Sequence, residues 1–582
     1  MKCTRLPSCR GAICFLLIIA MPAPVFLAVA QTTAISAPPH AVPIKPHRPG
    51  HRSSTYIPLD SWMYPALQRL QGLGYLDTAF LGLRPWTRLS VAHMLVDSER
   101  EIRGGEGAAN DEARTIYAAV ARELLPDQME ESPRAELDTV YARLLGITNT
   151  PLADSYHLGQ TILNDYARPY QAGLNRVSGA SGRAESGRFS LYLRGEYQHA
   201  PSALGYNTAL FTYLSQVVDL IPVASNPVQD TIPLGPILTR DDFRLLEAYA
   251  SCHAWGHEVS FGKKDHWLGP AAGDSFAWSN NADNTYSFEI NRVEPLRVPL
   301  LSRLTGPFRY DFFVGSLQGH TDPNAPWVHM EKVSFKPTRN LELGFERTVI
   351  WGGKDHEPIT LHTFLRSFFS TASVPVDEKY SSNDPGARFS SFDFSYRLPF
   401  VRNWLTLYTD SFSHDDVNPI SAPRRAAIRP GIYLSHVPGV PHLDLRVEAA
   451  STDPPTNRSV GGLFLDWEAV QRQGTTNKGY LFGDAIGRED KGGQAWITYH
   501  LSANEQIQLS YRNVKAAKDF IAGGTTQNQF RLDMVKRLGE DVEADAWIQQ
   551  EEWKAPVYRA GRQEDTAAAG QITWYPHKAK DF

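Results

Sequence analysis

The chain has 582 residues, with 58 Lys and Arg against 63 Asp and Glu, a formal charge of −5, 11% aromatic residues and four cysteines. This mildly acidic balance points away from nucleic-acid partners, and only Cys252 lies beyond residue 30, so no disulfide framework holds the exported part. No apolar run of 18 or more residues follows residue 30, which leaves a closed β-barrel as the one way for the mature chain to cross a membrane.

Residues 1–30 carry Lys2, Arg5 and Arg10 ahead of an apolar run that is broken by Pro22 and Pro24 and ends in Ala28, Val29 and Ala30. That is the layout of a secretory signal peptide cleaved before Gln31, and no cysteine follows to carry a lipid anchor. Cleavage removes three bases and no acid, so the formal charge falls from −5 to −8. Residues 31–53, rich in Pro, Ala and His and without periodicity, read as a flexible Pro-rich segment.

Residues 54–150 are expected to form a periplasmic helical bundle or plug. Asp60 or Ser61 caps a helix carrying Met63, Leu67 and Leu70 that stops near Gly72 and Gly74, and Thr87 caps a second carrying Ala92, Leu95 and Val96. A third runs from Asp111 to Leu125 with Ile116, Ala119, Val120 and Leu124 on one stripe, stopping before Pro126. Leu137, Val140, Tyr141 and Leu144 have helical spacing among strand-forming residues, so that segment stays open between the two. The string from Trp62 to Leu76, followed by Leu83 to Arg88, resembles a single S-layer homology motif, which implies contact with peptidoglycan or another wall polymer; plain helix packing accounts for the same residues.

From 151 to 582 a period of two takes over. In the stretch 330–353, Val333 and Phe335 alternate with Lys332 and Ser334, a turn follows at 336–340, and Leu341, Leu343 and Phe345 then alternate with Glu342, Gly344 and Glu346. This is a β-hairpin with one apolar and one polar face. The same rhythm returns at Phe189, Leu191 and Leu193, at Phe392, Phe394 and Tyr396, at Leu443, Leu445 and Val447, at Ile507, Leu509 and Tyr511, and at Val542, Ala544, Ala546 and Ile548. Connections at 336–340, 398–403, 436–442 and 502–505 are tight, whereas 200–240, 263–284 and 354–384 are long and polar. Short turns at one end and long loops at the other are the layout of an outer-membrane barrel, and roughly 430 residues at about 24 per strand give on the order of 18 strands. Trp404, Tyr408, Trp574 and Tyr575 stand where interfacial girdles need aromatics. The last membrane-facing residues are expected to be Ile572 and Trp574, with Lys578, Lys580 and Phe582 in a polar tail. The fold expected is therefore mainly β, a transmembrane antiparallel barrel of about 18 strands after a small N-terminal α-helical bundle.

The run VSFKPTRNLELGFERTVIWGG, together with FGKKDHWLGP at 261–270, SNN at 279–281, SYRNVKAAKDFIAGGTTQNQF at 510–530 and PLADSYHLGQTILNDYARPY at 151–170, resembles the Wzi-type capsule assembly family. The resemblance covers nearly all of the mature chain. It implies an outer-membrane barrel closed below by a helical bundle and above by long loops, acting as a surface lectin that retains capsular or extracellular polysaccharide. No polysaccharide-binding residue can be matched one for one.

Independent chemistry is sparse. Gly273, Asp274, Ser275 and Phe276 are similar to the opening of a GDSL-type hydrolase, but neither the period nor the length supports the soluble α/β fold that such a serine needs. His320 with Asp322, and His414 with Asp415 and Asp416, lack the spacing of a known zinc site, and no cofactor motif is present. Two clusters suit sugars, which want carboxylates, amides and cations for their hydroxyls and aromatic faces for their rings: Lys263, Asp265, His266 and Trp267, with Asn280 and Asn281 nearby, and Trp351, Lys354, Asp355, His356 and Glu357. Girdle tryptophans and ion pairs bracing the loops are the structural alternative. The function expected is a non-enzymatic, monomeric barrel, placed in outer-membrane lipid by the barrel assembly machinery, that binds polysaccharide; a porin or saccharide channel is the alternative.

Overall fold

A computed structural model describes residues 52–129, 133–222, 229–371, 374–414, 426–453 and 461–576. The signal peptide and most of the Pro-rich segment lie outside these, as do Asp415, Asp416, Lys578, Lys580 and Phe582.

Eighteen strands close into one antiparallel barrel: β1 (Arg134–Ile147), β2 (Gly173–Ser186), β3 (Phe189–Ala200), β4 (Arg240–Ala254), β5 (His257–Lys263), β6 (Tyr286–Asn291), β7 (Phe308–Ser316), β8 (Trp327–Thr338), β9 (Leu341–Trp351), β10 (Ala387–Arg397), β11 (Leu405–His414), β12 (Ala427–Leu434), β13 (Leu443–Ser451), β14 (Asp490–Ser502), β15 (Glu505–Ala516), β16 (Thr525–Leu538), β17 (Val542–Ala555) and β18 (Arg559–Trp574). Neighbours in sequence are neighbours in the sheet, and β18 pairs back onto β1 from Val140↔Trp574 to Ile147↔Ala567. Closure leaves no sheet edge, which a strand structure in hydrocarbon requires.

The alternation sorts opposite to that of a soluble protein. On β3, Phe189, Leu191 and Leu193 are 66%, 42% and 47% exposed, while Tyr192, Arg194 and Glu196 are buried. In the 330–353 hairpin Val333 lies opposite Phe345 on the outer face, and Lys332, Ser334, Glu342 and Glu346 point inward and are buried. An apolar exterior around a charged interior is a membrane-spanning barrel.

The segment left open at 137–144 is strand, so the barrel begins at Arg134 rather than at 151. A bulge between Leu137 and Thr139 explains the helix-like spacing: Leu137 faces out before it, Leu144 faces out after it, and Tyr141 is turned inward and buried. One extra residue converts a period of two into an apparent i, i+3, i+7 pattern. One further reading changes and another holds. Tyr408 is an interior residue whose hydroxyl donates to Glu448 at 2.7 Å, because the even positions at this end of β11 face the lumen. Ile572 and Trp574, 51% and 46% exposed, do end the apolar outer face.

The tight turns share one end, which is the periplasmic end in such barrels, and the helices α1 (Met63–Gly72), α2 (Arg88–Gly104) and α3 (Ala108–Met129) sit there. Thr87 caps α2 by accepting from the Ser90 amide. α3 runs through Pro126 instead of stopping before it. The S-layer-like string is spent on packing: Leu67, Leu70, Leu73, Leu76 and Trp86 are all buried. Arg397 of β10 donates to the carbonyls of Gln71 at 3.2 Å and Tyr75 at 3.3 Å, fixing the bundle to the wall.

The lumen is filled from both ends. From below, the amides of Leu81 and Gly82 donate to Glu342 at 2.9 Å each, and Arg84 exchanges backbone hydrogen bonds with Trp267. From above, the connections 148–172, 264–285 and 461–489 fold inward, with the Ser279 amide donating to Phe482 O at 2.7 Å and Asn281 Nδ2 to Leu481 O at 2.9 Å. Where they meet, Phe80 and Leu83 join Leu268, Phe276, Trp278, Leu465 and Phe482 in an apolar core against Phe313, Met330, Phe389 and Phe412 of the wall. Trp278 stacks on Phe482 at 4.1 Å.

A buried ion cluster ties this filling together. His157 lies between Asp154 and Asp219, 3.0 Å from each, and Arg488 reaches Asp219 at 2.7 Å. Burial opposes a charged ring, but the two carboxylates outweigh it and raise His157 to about 9. The unfolded chain releases this proton near 6.5, so the stabilisation is complete below about pH 6.5 and is lost as the pH rises through 9. We expect the melting temperature of the detergent-solubilised barrel to fall between pH 6.5 and 9.5, and His157→Asn to remove most of that slope; equal slopes in the two proteins would contradict the assignment.

One connection turns outward. Helix α4 (Leu361–Phe369) lies on the outer wall, where Phe364 and Phe368 meet Phe312 of β7 edge-on at 6.2 and 6.1 Å. It covers polar groups that otherwise face lipid: Arg347 donates to the carbonyls of Phe368, Ser367 and Ser370 at 2.6, 2.8 and 2.7 Å, and His329 meets Ser367 Oγ at 2.9 Å. Leu361 and Phe369 project away, 72% and 71% exposed. Charge-assisted hydrogen bonds are worth about 1.5–3 kcal/mol each. Arg347→Ala should therefore detach α4 and expose residues 361–371 to external protease at least tenfold faster, with the barrel's heat-modifiable migration unchanged; undiminished protection would show that Arg347 does not hold the helix.

Candidate functional site

The loop end carries an exposed polar patch built by two connections. After β9, Gly352 and Gly353 take positive φ and turn the chain so that the Lys354 amide donates to Asn324 O at 2.8 Å. A Cβ on Gly353 would meet Pro323 at 2.8 Å, so the close approach of these two loops needs glycine there. His356 Nε2 lies 2.9 Å from Asp384 Oδ2, which draws the segment holding Tyr380 and Asn383 against 353–357, and Glu357 pairs with Arg366 at 2.9 Å. The hydrogen bond to Asp384 raises His356, and burial pushes Glu357 up to about 7 against the pull of Arg366. On this framework Asn324, Lys354, Asp355, Tyr380 and Asn383 are exposed, Tyr380 at 58%. The patch offers an ammonium, a carboxylate, two amides and an aromatic face, the set that hydroxyl-rich rings need.

Of the residues singled out in sequence, only Lys354 and Asp355 are on this surface. Trp351 is 1% exposed and packs edge-on to Trp327 and His329 beneath α4. The other cluster lies inside the lumen. Lys263 binds Asp283 at 2.8 Å, and Asp265 accepts from the Leu59 amide, the Tyr166 hydroxyl and Asn284 at 3.2, 2.8 and 2.6 Å. Burial, and then the charge of Asp60, raises Asp265. Trp267 donates to Ala271 O at 3.2 Å with the Arg84 guanidinium 5.0 Å from its ring, and Asn281 bridges two loops. His266 stacks on Phe313 at 4.3 Å, and burial, followed by the Lys264 charge, lowers it to about 3. It is within ligand reach of Glu289 and Asp311, but the Lys264 ammonium already holds Glu289 at 2.5 Å in the place a cation would take.

The remaining candidates are engaged elsewhere. Ser275 Oγ donates to Asp410 at 3.2 Å inside the lumen, His320 Nε2 to Thr476 O at 2.8 Å, and Asp322 pairs with Arg472 at 3.3 Å. Sequence reading missed Asn324, Tyr380 and Asn383. Tyr380 and Asn383 are signalled only by the polar run 380–384 at the end of a long loop, whose contact from Asp384 to His356 spans 28 residues, and Asn324 is brought in from another loop by its carbonyl, which accepts from the Lys354 amide.

Comparison with known proteins follows this geometry. A 176-residue stretch, 30% of this chain, is 24% identical to a Klebsiella pneumoniae protein described as an uncharacterized 55.8 kDa protein in the cps region, and it spans about a third of that protein, 34%. The solved structure of Escherichia coli Wzi, described as an outer-membrane protein involved in group 1 capsule assembly and a carbohydrate-binding β-barrel, superposes with a TM-score of 0.64 at 16% identity over 90% of this chain and 100% of that one. The family model described as capsule assembly protein Wzi matches residues 145–568, which is most of the chain, and this outer-membrane barrel belongs to that family.

Proposed function

We propose that this barrel retains capsular or extracellular polysaccharide at the cell surface, and that the outer patch of Asn324, Lys354, Asp355, Tyr380 and Asn383 makes the contact. The carrying observation is a lumen packed with buried side chains beneath a loop end that presents ring-stacking and hydroxyl-pairing groups to the outside. Holding a chain on a surface needs such groups and no nucleophile. Family membership and the carbohydrate binding described for the E. coli relative point the same way. Asp265, His266, Trp267 and Asn281, by their burial, serve this reading as struts of the lumen filling rather than as contacts. Lys263, Asn280 and Trp351 are buried likewise.

Each polar contact is worth about 1 kcal/mol, roughly fivefold in affinity. Cells carrying Lys354→Ala, Asp355→Ala and Tyr380→Ala together should release most of their polysaccharide into the medium while keeping normal amounts of folded barrel in the outer membrane. Trp267→Ala should instead reduce the folded barrel itself. Unchanged retention in the triple variant would overturn the patch. The channel reading is tested separately: the purified protein should give no steady conductance in planar bilayers, and a stable open level would favour a porin.

A further inference from the structure

The filling is not complete. On the β12–β17 side the periplasmic half of the lumen keeps two adjoining cavities of about 290 and 220 Å³, which share Ala272, Trp496 and Gln508 as lining. Together they fall in the size range of small-ligand sites, about 300–1,000 Å³. The first runs from Pro65 and Gln68 of α1 past His500 and Gln506 near the tight turns, up to Arg84, Trp267 and Asn280. Pro65 is exposed and Gln68, His500 and Gln506 are half-buried, so this end opens beside α1. The second continues toward mid-barrel and ends under Thr161, Leu163 and Asn164 of a folded-in loop. Access is therefore from the periplasm.

Two features distinguish this space from ordinary lumen polarity. Arg446 projects into it with its guanidinium 4.2 Å from the Tyr433 ring centroid, and it makes neither a hydrogen bond nor an ion pair with any other described residue. Asn280 and Asn164 stand at its upper wall. Finally, the charge is unbalanced. Arg84, Arg446, Arg512 and Arg531 line it against Asp444 and Asp533; Arg531 pairs with Asp533 at 2.6 Å, whereas the other three arginines have no carboxylate hydrogen-bonded to them, the Asp444 and Glu448 charges acting on Arg446 only through space. Half-buried Trp496 lies at the waist, between the free amides of Gln494 and Gln506.

We infer that this cavity is a second carbohydrate site, reached from the periplasm, that takes an acidic sugar: a short oligosaccharide segment whose uronate carboxylate pairs with Arg446. Its hydroxyls meet the amides of Gln494 and Gln506, and a ring face lies on Trp496. Guanidinium matches carboxylate in a two-pronged geometry that neutral sugars cannot use. The inference takes its ligand class from the polysaccharide reading above but uses none of the outer patch.

The test uses the mature, detergent-solubilised protein and two probes, trigalacturonic acid and maltotriose, in calorimetric titrations. Trigalacturonate should bind at least tenfold more tightly than maltotriose. Arg446→Gln should erase that preference, and Trp496→Ala should weaken both probes, with heat-modifiable migration reporting that each variant is folded. A Gln68→Cys protein, made in a Cys252→Ser background and alkylated with a maleimide-polyethylene glycol, should lose binding because the mouth is blocked. No preference for the acid in the wild type, or an unchanged preference in Arg446→Gln, overturns the inference. Binding that survives the block places the sugar on the outer patch, which overturns the cavity and leaves surface retention standing; failure of surface retention is read independently, in cells.

Discussion

A closed barrel in a membrane must turn its polar face inward, and where the lumen is packed rather than water-filled a charge on that face needs a partner there. The walls of this protein meet the constraint by pairing across strands and onto the filling: Lys332 with Asp393 at 2.6 Å, Arg429 with Asp484 at 2.6 Å and Glu448 at 3.1 Å, Arg168 with Glu196 at 2.8 Å. Leaving one such charge without its partner costs about 3–5 kcal/mol, so wall and filling stabilise one another. The filling is held by polar contacts at its rim and by the apolar core around Trp278 at its centre. That arrangement explains how a chain with no disulfide among the described residues keeps long loops folded inside a barrel.

The wall was legible in the sequence because its signal is local. Phe189, Leu191 and Leu193 need only their own neighbours to show which face is greasy, and each hairpin repeats the rule. The first strand escaped because the bulge after Leu137 shifts the phase by one residue, and Tyr408 escaped because an aromatic near a strand end fits a girdle and a lumen equally well. The count of strands needed only the length of the block at about 24 residues per strand, and the end that carries the tight turns needed only loop lengths.

The interior was not legible, since its contacts join residues far apart in the chain. Asn281 and Leu481 are 200 positions apart, Arg84 and Gly269 185 apart, and nothing in either local stretch announces the other. Trp267 and Trp351 were singled out for a chemistry that suits surface sugars, and both are buried. A loop rich in Trp, Asp and Asn has the same composition whether it folds outward to a ligand or inward to a lumen. Lys354 and Asp355 differ from them only in that the glycines before them turn the chain outward.

The outer wall shows the same constraint from the other side. His329, Glu331, Arg347 and Arg388 stand at positions that β8, β9 and β10 otherwise give to lipid, and as bare side chains there they would be costly. α4 removes the conflict by giving Arg347 the unsatisfied carbonyls at its own C-terminus, which is where a helix favours a cation. The helix is therefore needed by the wall as much as the wall is needed by the helix. Since residues 353–357 lie between β9 and α4, the exposed groups at Lys354 and Asp355 are anchored at both ends: by the strand on one side and by a helix pinned to the barrel on the other. The electrostatics that seats α4 on the wall therefore also fixes where the chain runs on either side of Lys354 and Asp355.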